Sequence, residues 1–177
     1  MKLISFGEYK NNSEYKVLDE RHMRAGAGIM FLLGLFAFIN GFILNNYTVI
    51  PYISGFLVLN FLLGLLINPR IAPTRLIAHL LVRKQTPLYV GAVQKKFAWI
   101  LGLLLVSVVF GLSFLLLGDV SYFGPICMLC IICLTLLFFE TAFGICIGCK
   151  FYHLFIRLKV IPKPDVNPSC TGDACEV

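Results

Sequence analysis

The sequence predicts an all-α polytopic membrane protein: four transmembrane helices arranged as two hairpins, joined by a cytoplasmic amphipathic connector helix. Three observations carry that expectation. The chain of 177 residues is 59% hydrophobic and only 14% charged, with a mean hydropathy of +0.87. A soluble domain is roughly 45–50% apolar and about 25% charged. Ionisable residues disappear over stretches long enough to cross a bilayer. All 15 Lys and Arg fall on segments that a four-span path places on one side. Together these exclude a soluble globule, a disordered chain and a basic nucleic-acid-binding arm.

Residues 1–24 read as a polar cytoplasmic arm. The opening MKLISFGEYKNN has too short an apolar part for a secretory leader, so the arm is expected to stay on the mature chain. From residue 25 to residue 69 there is no Lys, Arg, Asp, Glu or His. One crossing takes about 20 apolar residues, so this run holds two spans, about 25–44 and 50–67. Asn45-Asn46-Tyr47-Thr48 makes the turn, and Pro51 suits the start of the second span. A connector helix is predicted over 73–84. Leu76, Ile77, Leu80 and Leu81 share one face, while Thr74, Arg75, His79, Arg83 and Lys84 share the other. Pro73 belongs in its first turn. Such a helix either lies on the leaflet or packs on the bundle as a connector. The third span is 97–118, ended by Asp119. The fourth, 124–149, is interrupted only by Glu140. These runs lack the alternation of barrel strands, and helices satisfy their own backbone in lipid.

Orientation follows from the charges. Lys and Arg occupy the arm, the segment from Arg70 to Lys96 and the tail, and the two short hairpin loops hold none. The positive-inside rule puts both termini and the middle segment in the cytoplasm. This leaves a four-helix domain over 25–158 and a cytoplasmic tail over 159–177. The net charge of +6 then reflects topology and contact with anionic lipid in the bilayer, not nucleic-acid binding.

Seven cysteines form three groups. Cys127, Cys130 and Cys133 begin span four, Cys146 and Cys149 end it as C-I-G-C, and Cys170 and Cys175 lie in the tail. Cys127 and Cys130 sit at the non-cytoplasmic end, where a disulfide persists and a redox pair is one reading; the other is that these thiols are small apolar residues suited to packing. Residues three apart on a helix face nearly the same way, so Cys146 and Cys149 are candidates for shared thiol chemistry. Lys150 favours a thiolate there, whereas a helix C-terminus opposes it. The pair is therefore expected to lack the helix-N-terminal activation of a thioredoxin site, and by its context it is not one. Gly144 and Gly148 bracket the pair and permit either close helix approach or a loosened helix end. Cys146, Cys149, Cys170 and Cys175 also form a candidate four-sulfur zinc set, with His153 as a substitute ligand. No nucleotide, haem or flavin motif is present, so no other cofactor is expected.

Glu140 is the one charge well inside a span. At that depth an ionisable group costs roughly 2.5–3.5 kcal/mol on insertion scales, so it is expected to face the bundle beside Asn40, Asn60, Arg70 or Lys96. At 100° per residue neither Cys146 nor Cys149 falls directly on its face, so direct chemistry between Glu140 and the thiols is not implied.

The run Glu140-Thr-Ala-Phe-Gly144-Ile-Cys146-Ile-Gly148-Cys149-Lys150-Phe-Tyr152 resembles the signature of the bacterial domain-of-unknown-function 4395 family. Asp19-Glu20-Arg21, Asn68-Pro69-Arg70-Ile71 and Gln94-Lys95-Lys96-Phe97-Ala98 agree with it, and the resemblance spans about residues 18–158. It implies a four-helix protein of the bacterial inner membrane, with thioredoxin-like or sulfurtransferase proteins as partners. Glu140, Cys146 and Cys149 match the signature; Cys127, Cys130, Cys170 and Cys175 do not. The leading expectation is thiol–disulfide or sulfane-sulfur exchange at Cys146 and Cys149. The alternatives are a homo-oligomeric carrier of a small sulfur species, or a membrane scaffold with a zinc–thiol cluster.

Overall fold

The computed structural model describes residues 6–9 and 16–159. In chain order the elements are β1 (Val17–Asp19), α1 (Glu20–Phe42), α2 (Val49–Leu66), α3 (Pro73–Val82), β2 (Tyr89–Gly91), α4 (Ala92–Gly118), α5 (Phe123–Phe138) and α6 (Ile147–Arg157). A π-helical turn, Phe139–Phe143, prolongs α5. Four helical stretches, Glu20–Phe42, Val49–Leu66, Ala92–Gly118 and Val120–Phe143, are long and apolar enough to cross a membrane. The protein is thus an all-α, multi-pass membrane protein. Its outer surface agrees: Leu32, Leu104, Phe114 and Met128 are all exposed, and α5 buries only Ile126. Lipid, rather than water, is the solvent that tolerates such a surface.

The spans differ from their expected limits for local reasons. Span one begins at Glu20, not residue 25, because Asp19 caps it by accepting the Arg21 N–H at 3.1 Å. Span three begins at Ala92 rather than 97. An antiparallel pairing of β1 with β2, Leu18 opposite Val90, delivers the chain directly into α4. Lys95 and Lys96 therefore become helical residues, not loop residues. Two strands of three residues carry too little alternation to be read from sequence. Span four stops at Phe143 instead of 149.

The connector helix is shorter than the predicted 73–84, ending at Val82. Its two faces are as expected, but their assignment is informative. Thr74 and Arg75 are buried, whereas Leu76, Ile77, Leu80 and Leu81 are exposed. The side carrying Thr74, Arg75 and Ala78 is buried and packs on α1, while the apolar stripe and the other polar residues, His79, Arg83 and Lys84, are exposed. The cause is Asn60 of α2, which has no exposed surface. Its Oδ1 accepts the Thr74 N–H at 3.0 Å and the Thr74 hydroxyl at 2.9 Å. An unsatisfied buried amide costs about 1–3 kcal/mol, so α3 turns Thr74 to it.

The main core joins α1, α2 and α4 around Met23, Met30, Leu57, Phe61, Trp99 and Val106. Trp99 meets the Phe61 ring edge-on at 5.3 Å and 82°. Its ring fills the space over Gly64, where a Cβ would collide with it. A smaller cluster, Ile50, Val109, Leu116 and Ile126, closes the opposite end. Overpacking a filled core costs about 1–3 kcal/mol. Gly64→Ala is therefore expected to lower the thermal midpoint of the detergent-solubilised protein by several degrees. Gly111→Ala, whose Cβ would meet nothing within 4 Å, is the control and should leave the midpoint unchanged or higher.

Candidate functional site

The site is created by a break in span four. Gly144 adopts φ +69°, a left-handed conformation that glycine takes without steric strain. The Ile145 N–H returns to the Phe139 carbonyl at 3.2 Å, closing the helix end. Arg24 of α1 secures it, Nη2 donating to the carbonyls of Thr141 at 3.2 Å and Ala142 at 3.4 Å. A cation on the last carbonyls of a helix also complements the dipole.

The chain then starts a new helix. Cys146 has extended backbone (φ −81°, ψ 98°) and is the N-cap residue of α6. Its carbonyl accepts from the N–H groups of Cys149 at 3.0 Å and Lys150 at 3.2 Å. This corrects the expectation that Cys146 and Cys149 end a continuous span. They open a helix instead, where the dipole favours a thiolate. The comparison of Glu140 with the thiols on a uniform helical wheel fails for the same reason, since Gly144 redirects the chain between them.

α6 packs back against α4. Gly148 allows it, because a Cβ there would come within 2.6 Å of the Ala98 Cβ. Phe97 packs on Tyr152 at 5.6 Å and on Phe155 at 5.9 Å. The Gln94 amide pairs with His153 Nε2 at 3.0 Å, so His153 serves as a helix tie. Between Gln94 and Ala98 lies Lys95, at 3% exposure. Its Nζ lies 2.9 Å from Glu140 Oε1 and 3.5 Å from Glu20 Oε1. The partner of Glu140 is thus Lys95, not Asn40, Asn60, Arg70 or Lys96. Asn40 instead donates to the Phe36 carbonyl at 2.8 Å, Asn60 holds Thr74, and Arg70 holds Glu8 at 2.7 Å. Lys95, Glu20 and Arg24 are the site residues that sequence reasoning missed. The available signal was the spacing of Gln94, Lys95 and Ala98 on one helical face.

The two thiols are electrostatically unequal. A hydrogen bond from the Cys149 thiol holds Cys146 below the ordinary thiol range, aided by the charge of Lys95 and opposed by burial and Glu140. Cys149 is pushed well above that range because it gives that hydrogen bond and is buried. Cys149 is 6% exposed, while Cys146 is only partly covered. The arrangement suits an accessible attacking thiolate backed by a sheltered second thiol. Both are free, as are Cys127, Cys130 and Cys133. Those three lie in the first part of α5, remote in sequence from the break. Cys170 and Cys175 lie outside the described residues. Among the described residues no three His, Cys, Asp or Glu side chains are grouped to hold a metal.

Two outcomes follow. Lys95→Met leaves the buried Glu20 and the half-buried Glu140 without their cation and is expected to destabilise the protein by about 3–5 kcal/mol. Glu140→Gln should cost less, because Lys95 retains Glu20; unfolding in detergent micelles compares the two. The second outcome is a pH profile of Cys146 alkylation, read by peptide mass spectrometry. Its midpoint should lie below that of an unperturbed thiol and rise in Cys149→Ala, which lacks the stabilising donor.

No curated protein and no solved structure matches the chain. The family model described as Domain of unknown function (DUF4395) matches residues 18–157, which take in the ion cluster, the break and the thiol pair. The chain belongs to the DUF4395 family.

Proposed function

We propose that the protein is a membrane thiol–disulfide exchanger in which Cys146 attacks and Cys149 resolves. The observation that carries this reading is the position of Cys146 as N-cap of α6, near the ion pair of the buried Lys95 with Glu140. In the reaction, the Cys146 thiolate attacks one sulfur of a substrate disulfide. The substrate S–S bond breaks, a Cys146–substrate disulfide forms, and the leaving thiolate takes a proton from water. Cys149 then gives its proton to Glu140 and attacks the Cys146 sulfur. The second substrate sulfur leaves as a thiolate and takes that proton back from Glu140, so the substrate is reduced by two electrons to its dithiol, and Cys146 and Cys149 form the disulfide that holds the oxidised state. The reverse sequence oxidises a dithiol partner.

The charge distribution supports a cytoplasmic site, with the arm to residue 24, the α3 segment and the tail from residue 159 on that side of a bacterial inner membrane. A soluble thioredoxin-like or sulfurtransferase protein is then the partner. The pairing of Glu140 with Lys95 favours this reading over a homo-oligomeric carrier, which needs an intramembrane carboxylate turned to a wet path. It also favours exchange over a zinc scaffold, because the neighbouring cation assists a reactive thiolate rather than a filled metal site.

The test is trapping. Cys149→Ser, expressed in membranes, should accumulate a mixed disulfide on Cys146 that dithiothreitol releases, and Cys146→Ser should accumulate none. If neither variant captures a partner, and both thiols stay reduced in wild-type membranes across oxidising and reducing conditions, the exchange reading is wrong.

A further inference from the structure

A second polar site lies where β1, the start of α1, the turn after α2 and the side of α3 that carries Arg75, Leu76 and His79 converge. There a cavity of about 530 Å³ is lined by both carboxylates and guanidinium groups. Its carboxylates are already engaged. Glu8 binds Arg70 at 2.7 Å. Asp19 accepts from the Arg21 and Leu88 N–H groups and holds His22 Nδ1 at 2.7 Å. His22 in turn meets His79 Nδ1 through its Nε2 at 3.2 Å. The lining thus holds three guanidinium groups against two carboxylates, and among the described residues Arg75 and Arg83 are the two without an ion pair.

Arg75 is the informative one. It is 6% exposed, yet its Nη1 has no hydrogen-bond partner among the described residues. A buried, unsatisfied guanidinium N–H is unfavourable. Burial and the neighbouring Arg70 pull Arg75 down to about 10, so it still carries its charge at neutral pH. A planar guanidinium facing a cavity matches an oxyanion through paired N–H donors.

We infer that this cavity binds a phosphate-class oxyanion, with Arg75 as its buried anchor and Arg83 and His79 at the rim. The volume exceeds what a bare phosphate fills and falls within the range of small-molecule sites, so it accommodates a substituted phosphoester. Leu76 lines the same cavity and is continuous with the exposed apolar stripe of α3, which places the site at the lipid surface. The same chemistry therefore serves a phospholipid headgroup or a phosphate compound from solution.

The experiment uses the full chain. In one arm, inorganic phosphate is titrated against protein in detergent micelles, with chloride at matched ionic strength as control, and the thermal midpoint is followed. In the other, the midpoint is compared in nanodiscs of phosphatidylcholine with and without phosphatidylglycerol. A rise with phosphate supports a solution ligand; a rise only with phosphatidylglycerol supports a headgroup. In either arm Arg75→Gln should weaken the apparent affinity about tenfold or more, and Arg83→Gln should weaken it less. Arg83 is exposed at the rim, so its variant preserves the comparison if Arg75→Gln does not fold. No rise in either arm, or rises that Arg83→Gln and any folded Arg75→Gln leave unchanged, would overturn the inference.

Discussion

A single ammonium group organises one end of the bundle. Lys95 of α4 is buried between Glu20 of α1 and Glu140 of span four. Charges at this depth are tolerated only when paired. Each carboxylate is thus held on the face that meets α4, which fixes the rotation of three membrane helices about their own axes. The same face of α4 then carries Gln94 and Ala98 into position for α6. Without that rotation, His153 would lose its tie to Gln94 and Gly148 its close approach to Ala98.

The second constraint is the left-handed Gly144. A continuous helix would put the thiol pair at a negative helix end and turn it away from Glu140. One residue at φ +69°, with Arg24 on the last carbonyls, ends span four and lets Cys146 start a new helix. The sign of the local dipole reverses. Two cysteines three residues apart become an unequal pair, one exposed enough to react and one sheltered. Cys127, Cys130 and Cys133 share the C-x-x-C spacing but sit within α5 rather than at a helix N-cap. Spacing is common to both groups, and helix context separates them.

α3 shows how a membrane protein distributes polarity. In a soluble protein an amphipathic helix turns its apolar stripe inward. Here the buried Asn60 draws Thr74 inward while Leu76, Ile77, Leu80 and Leu81 stay exposed. The same rotation buries Arg75 beside a cavity whose carboxylates already have partners. The polar end of the bundle thus holds two separate charged centres: a closed cluster under the thiol pair and an open cationic cavity under α3.

The sequence by itself determined the all-α class, the four spans, the connector helix and its two faces. These depend on composition and on the 3.6-residue period, which are local properties of the chain. It also marked Glu140, Cys146 and Cys149 as unusual within an apolar span. It did not determine their arrangement. Gly144 could have packed a helix or broken one, and only the docking of Arg24 on the freed carbonyls made it a break. Lys95 and Lys96 are alike in sequence, and only the pairing of β1 with β2, which starts α4 at Ala92, turned the first inward to Glu140. Tertiary structure decided these points because each depends on a contact between residues 45 to 118 positions apart, which no local periodicity encodes.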